Sequence, residues 1–130
     1  MLVVDASVVV DAALGAEGFS ALADEALVAP RLLWSEVPSA LCELAWRRVV
    51  PRDRAAEALE HFLDGPVTAR TPGRLPREAW RVAEELGWAK TYDAEYVALA
   101  RLLGCRLMTV DTRLRRGAAR AVDVIGPAEL

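Results

Sequence analysis

The pattern that most constrains this chain is the alternation of short, almost wholly apolar runs with longer stretches of helical periodicity. Strand-like runs fall at Leu2–Val4, Val67–Ala69, Arg106–Val110 and Val122–Ile125, with a shorter one at Leu27–Ala29. Between them lie helical patterns over Ser7–Leu14, Phe19–Ala26, Leu33–Val49, Asp53–Asp64, Arg77–Leu86 and Thr91–Leu103. A strand that is apolar on consecutive residues has no face to offer water, so the sheet containing it must be covered on both sides. Such strands separated by helices form a parallel sheet, because a parallel return needs a crossover of about helical length. The expected fold is therefore α/β: a single domain over residues 1–130, with a central parallel sheet of four to five strands flanked by helices on both faces. At 130 residues the chain is long enough to bury most of its apolar surface in one core.

Punctuation along the chain agrees with this. Pro51 and Pro66 bound the helix that carries Glu57, Glu60 and His61, and Thr71-Pro72-Gly73 makes the turn before the next helix. On the Asp53–Leu63 helix, Ala56, Leu59 and Leu63 share a face. The four tryptophans (Trp34, Trp46, Trp80, Trp88) lie in or at the ends of helical segments. They read as fillers of a core or interface, or as an apolar surface where a second copy or a partner chain docks.

Four acidic residues stand where such a sheet would gather them. Asp5 ends the first strand and Asp111 follows the fourth, and open α/β sheets bind ligands outside the carboxyl ends of their strands. Each has a second reading as a helix cap, Asp5 or Ser7 for the helix that follows, and Asp111 for a short turn of helix. Asp93 sits in the first turn of its helix, with Thr91 as the expected N-cap. At about 100° per residue it shares a face with Tyr96, Val97 and Ala100, while Glu95 and Leu102 point the other way. A carboxylate on such a face is costly to bury without a cation or several donors. Glu36, in the first turn of the Leu33 helix, competes with Glu43 about 10 Å further along the axis. Glu43 can pair with Arg47 at i, i+4, so Glu36 is the better ligand. Pro38 fits there because the first turn tolerates proline.

If these strand ends and helix starts converge, Asp5, Glu36, Asp93 and Asp111 share one small volume. Like charges held together raise one another's pKa, so the cluster makes sense mainly around divalent cations. An all-carboxylate oxygen set suits magnesium or manganese. A zinc site is not readable from one histidine, His61, and two distant cysteines, and no glycine-rich phosphate loop is present. The pattern points to metal-assisted chemistry on a phosphate.

The formal net charge is −3, which excludes a uniformly basic nucleic-acid coat. The basic residues are nearly all arginine, with Lys90 the single lysine, a bias that a GC-rich coding sequence also explains. Arg113, Arg115, Arg116 and Arg120 follow Asp111 without an intervening acid. They form either a patch for a phosphodiester backbone or a flexible, solvated loop. Cys42 and Cys105 make no disulfide framework and read as small core residues. No signal segment is recognisable and no apolar stretch reaches the roughly 18 residues of a membrane span, so the expected compartment is the cytoplasm.

The residues that carry these readings resemble the PIN-domain family, and within it the short VapC-type toxins of bacterial and archaeal toxin–antitoxin pairs. The resemblance runs through Val4-Asp5-Ala6-Ser7, then Ala29-Pro30-Arg31-Leu32 leading to Glu36-Val37. It continues in Tyr92-Asp93-Ala94-Glu95-Tyr96-Val97-Ala98-Leu99-Ala100 and in Leu107-Met108-Thr109-Val110-Asp111-Thr112-Arg113-Leu114. It implies a PIN-like three-layer fold in which Asp5, Glu36, Asp93 and Asp111 are the acidic metal site, lined by Ser7 and Thr109. It also implies a magnesium- or manganese-dependent endoribonuclease, a homodimer, and a cognate VapB-type antitoxin bound over the site. Two positions depart from the pattern: Leu114 stands where some PIN nucleases carry a further acid, and Pro38 where a small or polar residue is usual.

Two other functions fit the sequence less fully. The same fold with a weak or silent site would act through RNA or protein binding alone. A receiver-like phosphorylation domain would need an acid adjacent to Asp5 and a lysine ending a late strand, whereas Lys90 precedes a helix.

Overall fold

Strand β1 (Leu2–Val4) occupies the middle of a five-stranded sheet, and all three of its residues are buried. It pairs in parallel with β2 (Leu27–Ala29) on one side and β4 (Arg106–Met108) on the other. Strand β3 (Thr68–Ala69) extends the sheet beyond β2, and β5 (Val124–Ile125) beyond β4, again in parallel. The order is β3-β2-β1-β4-β5. In a computed structural model describing residues 1–130, these strands and six helices build the single α/β domain that the apolar runs imply.

Helices α1 (Ala6–Leu14), α2 (Leu33–Trp46) and α3 (Arg52–Leu63) pack on one another, and α4 (Leu75–Leu86) packs on α5 (Tyr92–Leu103). Helix α6 (Thr112–Ala118) lies beside β5. Covered in this way, Val3, Val4, Val9, Leu33, Val97, Leu99 and Leu107 have essentially no contact with water. Each such side chain contributes about 1.5–3 kcal/mol of burial. Helix α5 is buried on most sides, from Ala94 and Tyr96 through Ala100, rather than on one face.

Several local expectations are corrected. The Phe19–Ala26 segment is not a helix but a single 3-10 turn at Ser20–Leu22. The Ala26 carbonyl already accepts from the Leu2 N–H, so the chain must run extended into β2. Strand β4 stops at Met108 instead of Val110, because the Val110 and Asp111 N–H groups turn to the hydroxyls of Ser7 and Thr109. Helix α2 ends at Trp46, and Arg48 adopts a left-handed φ of 59° that closes it. Pro38 lies in the second turn of α2, not the first, so the Trp34 carbonyl has no helical donor. In α3 the inward residues are Ala55, Ala58 and Phe62, while Ala56 and Leu63 are exposed. Phe62 sets that rotation by packing on Trp34, ring centroids 5.4 Å apart.

Candidate active site

Strands β1 and β4 are neighbours, yet the chain leaves β1 for β2 on the opposite side. The carboxyl ends of β1 and β4 therefore flank a topological switch point, where this class of sheet opens a crevice. Asp5 follows β1 directly, and Thr109 and Asp111 follow β4.

Asp5 is 5% exposed and is the N-cap of α1. Its Oδ1 accepts from the Val8 N–H at 3.2 Å and from the Ser7 hydroxyl at 2.6 Å, and its Oδ2 accepts from the Thr109 hydroxyl at 2.6 Å. Ser7 Oγ in turn accepts from the Val110 N–H, and Thr109 Oγ1 from the Asp111 N–H. The two hydroxyl oxygens are 3.2 Å apart with both protons available to Asp5. This network laces the end of β1 to the end of β4. Burial nevertheless holds the Asp5 carboxyl above its ordinary range; the three donors oppose the rise and the charge of Asp111 adds to it.

Glu36 reaches the crevice from the first turn of α2, half-buried, and its Oε1 accepts a 2.5 Å hydrogen bond from the Tyr96 hydroxyl. Burial raises its pKa, Tyr96 opposes that, and the charges of Asp93 and Asp5 reinforce it. Asp93 stands in the first turn of α5 with its side chain at the surface. It too is raised, first by desolvation within the crevice and then by Asp111, with Arg113 pulling it down. Asp111 is the N-cap of α6, its Oδ1 accepting from the N–H groups of Arg113 and Leu114 while Oδ2 has no protein donor. Asp5 and Asp111 are thus caps and crevice residues at once. Thr91, by contrast, occupies the N-cap position of α5 without a side-chain bond.

The four acids therefore lie in one another's fields, while no three acidic, histidine or cysteine side chains form a ready-made cage. An open, all-oxygen arrangement of this kind fits magnesium or manganese. Magnesium usually binds through one or two carboxylates, keeping waters and taking substrate phosphate oxygens for the rest.

Two residues at the site were not singled out in the sequence. Tyr96 is 1% exposed, and its hydroxyl pKa is pushed far up by burial and by Glu36. Its place three residues after Asp93 was the available signal. Glu95, expected to point elsewhere, is half-buried and raised by burial and by the charge of Glu36. Leu114, at the position of the possible extra acid, is buried.

Of the basic run, Arg113, Arg115 and Arg116 belong to helix α6 rather than to a loop. Arg113 borders a cavity of about 470 Å³ together with Glu36 and Asp93. Arg115 instead pairs with Glu129, away from that cavity, and Arg116 and Arg120 are exposed. Glu43 pairs with Arg47 at 2.8 Å on the surface. Cys42 is exposed rather than buried in the core, on an apolar groove between α2 and α3 that also takes in Leu41, Trp46 and Leu59. Trp34 and Trp88 are partly buried, but Trp46 and Trp80 are 79% and 64% exposed. No helix is long and apolar enough to cross a membrane.

The family model described as PIN domain matches residues 2–120. The chain is 36% identical over 115 residues to VapC ribonuclease Mb0985 of Mycobacterium bovis and to Ribonuclease VapC9 of Mycobacterium tuberculosis, 88% of each chain being covered. Its fold is similar to that of PAE2754 from Pyrobaculum aerophilum, with a TM-score of 0.76 and 25% identity over 98% of this chain and 90% of that one. FitAcB from Neisseria gonorrhoeae shares the fold at a TM-score of 0.57 and 16% identity, each chain covered in full.

Proposed function

The chain belongs to the PIN domain family, and from that premise we propose that its crevice hydrolyses phosphodiester bonds in RNA with the help of a divalent cation. The observation that carries the reading is the convergence of Asp5, Glu36, Asp93 and Asp111 at the β1–β4 switch point. The similarity to two mycobacterial proteins named VapC ribonucleases supports RNA as the substrate.

In this reading Asp5, Asp93 and Asp111 hold magnesium or manganese, and Glu36 binds the ion or orients water. The ion would supply the acidity that makes water a nucleophile near neutral pH and the charge that stabilises the leaving oxygen. Ser7 and Thr109 fix both oxygens of Asp5, so the carboxylate is oriented before anything binds. Tyr96 fixes one oxygen of Glu36 and leaves the other for the crevice. Arg113, with Arg116 beside it on α6, offers positive charge to the phosphates that adjoin the scissile one. Arg115 would join them only by giving up Glu129. The protein contributes position and electrostatics, with no covalent nucleophile.

The proposal extends to a cytoplasmic toxin of the VapBC type, a homodimer restrained by a VapB-type antitoxin. Support for partners comes from the exposed Trp46 and Trp80, apolar surface of a kind that a second chain would cover. A catalytically silent fold that acts only by binding is the competing reading.

End-group analysis of the cleaved RNA tests the chemistry. Water attacking the phosphorus directly leaves a 5′-phosphate and a 3′-hydroxyl. A 2′,3′-cyclic phosphate would mean that the ribose hydroxyl attacked instead, and would contradict the mechanism.

A further inference from the structure

The turn that joins α2 to α3, at the end of α2 remote from the crevice, holds a second concave site that the carboxylate chemistry does not use. The chain there reads Trp46-Arg47-Arg48-Val49-Val50-Pro51-Arg52-Asp53-Arg54, four arginines against one acid in a protein whose formal net charge is −3. Trp46, Arg48, Val50 and Arg52 help to line a cavity of about 550 Å³, large enough for a nucleotide-sized ligand. The Trp46 ring is exposed beside it.

The four guanidiniums are of two kinds. Arg47 pairs with Glu43 at 2.8 Å, and Arg54 donates to the Leu14 carbonyl at 2.8 Å. Arg48 and Arg52 are exposed, with no carboxylate within ion-pair distance and no side-chain hydrogen bond. Arg48 is also held at a cost. Its φ of 59° lies in the left-handed region, where glycine is relaxed and a side chain is strained. The turn needs only its backbone: the Arg48 N–H bonds to the Ala45 carbonyl at 3.1 Å, and the Val49 N–H to the Leu44 carbonyl at 3.0 Å. Glycine would make both bonds and would lack only the guanidinium. Strain of this kind gathers at functional positions.

Two uncommitted guanidiniums beside an exposed indole fit RNA, whose phosphates take the cations while a base stacks on the ring. An acidic protein segment would satisfy the arginines, but its apolar side would seek the adjoining groove around Leu41 and Leu59 rather than this charged recess. Helix α2 sets the spacing. Glu36 stands at its crevice end and Trp46 at the other, ten residues and about 15 Å along the axis. Stacked nucleotides rise about 3.4 Å each, so about five of them separate the two places.

We propose that the Trp46–Arg48–Arg52 recess is a second RNA-binding site, remote from the carboxylates, which anchors the substrate about five nucleotides from the cut. This rests on the nuclease reading of the crevice. It gives longer RNA an advantage over fragments too short to span both places, and it assigns Trp46 to RNA while leaving Trp80 to face a partner chain.

The test combines Arg48→Gly with Arg52→Ala and measures binding of a fluorescein-labelled, mixed-sequence 20-nucleotide RNA in EDTA by fluorescence anisotropy. Affinity should fall about tenfold and the salt dependence by about two counterions. In manganese, the ratio of kcat/KM for that RNA to kcat/KM for a 4-nucleotide RNA should fall by a similar factor. Arg48→Gly alone should weaken binding while Tm stays level or rises, because glycine relaxes the turn. A raised Tm with wild-type RNA affinity would make Arg48 a structural residue and overturn the site. Wild-type binding and an unchanged length ratio in the double variant also overturn it, and leave the recess to a protein partner; manganese-dependent cleavage that persists there keeps the nuclease reading. If the double variant loses binding while the wild type cuts neither RNA, the anchor stands and the nuclease reading fails.

Discussion

The Tyr96 hydroxyl donates a 2.5 Å hydrogen bond to Oε1 of Glu36, joining the start of α5 to the start of α2 across 60 residues of chain. The ring below that hydroxyl is almost completely buried, so the donor cannot swing away, and Glu36 is held where the crevice needs it. Tyr96→Phe keeps the ring and deletes only the donor. It should cost about 1–2 kcal/mol in urea unfolding, since the exposed side of Glu36 can recruit water in exchange. It should also move the acidic limb of RNA cleavage to higher pH, because Tyr96 is the group that holds the Glu36 pKa down against burial. An unchanged pH profile would show that the bond serves only stability.

Thr109→Val should be more damaging than its size suggests. The threonine is 2% exposed, and its hydroxyl donates to Asp5 at 2.6 Å and accepts from the Asp111 N–H at 3.0 Å. An isosteric valine leaves both partners short in a buried place, at about 2–3 kcal/mol. Thr109→Ser restores the hydroxyl and should recover most of that. Urea midpoints of the two variants make the comparison.

Asp93→Asn and Asp5→Asn should separate function from folding. Asp93 is at the surface and accepts no protein hydrogen bond, so its amide should abolish cleavage with stability in EDTA unchanged or slightly raised. Asp5 accepts three bonds, and an amide would turn its NH₂ toward one of those donors. Asp5→Asn should therefore abolish cleavage and lower Tm as well. Equal thermal losses in both variants would contradict the assignment of Asp5 as the structural centre.

The crowded carboxylates predict a stability that depends on pH and on metal. Asp5, Glu36 and Asp93 have folded-state pKa values above their ordinary ones. As pH rises from about 4 toward neutrality, the unfolded chain releases these protons before the native one does, so stability falls across that window. Glu85 and Glu129 are shifted downward by Arg101 and Arg115 and act in the opposite sense, though both are exposed and screened. Comparing wild type with Glu36→Gln removes that background, because the amide oxygen of the substituted side chain still accepts from Tyr96. In EDTA the variant's Tm advantage should be absent near pH 4 and grow toward pH 7. Excess manganese should shrink or invert it, since a cation that binds only the native state stabilises it. A gap that does not vary with pH would contradict this.

The sheet was legible because β1, β2 and β4 are buried on both faces, and that leaves a direct trace in composition: runs almost without a polar residue. Asp5 and Asp111 were legible for the same reason, each marking the place where such a run stops. What the sequence hid depends on packing. Which side of α3 turns inward is decided by Phe62 meeting Trp34, a contact between separate elements that no period within α3 contains. The Phe19–Ala26 pattern looked helical, yet the ladder bond from Leu2 to Ala26 outweighs that preference. Tyr96 read as one more apolar residue, because the value of its hydroxyl exists only once Glu36 arrives from α2. Glu95 was assigned to the far side from a helical wheel, which does not register that α5 is enclosed on most sides.

Whether Asp5, Glu36, Asp93 and Asp111 form a metal-dependent ribonuclease site is decided by cleavage of a mixed RNA pool. Protein freed of any antitoxin would be assayed with manganese, magnesium or EDTA, beside the well-folded Asp93→Asn variant. Cutting is expected with either metal, none in EDTA, and none by Asp93→Asn under any condition. Cutting that survives EDTA, or that Asp93→Asn retains at wild-type rate, would contradict the assignment.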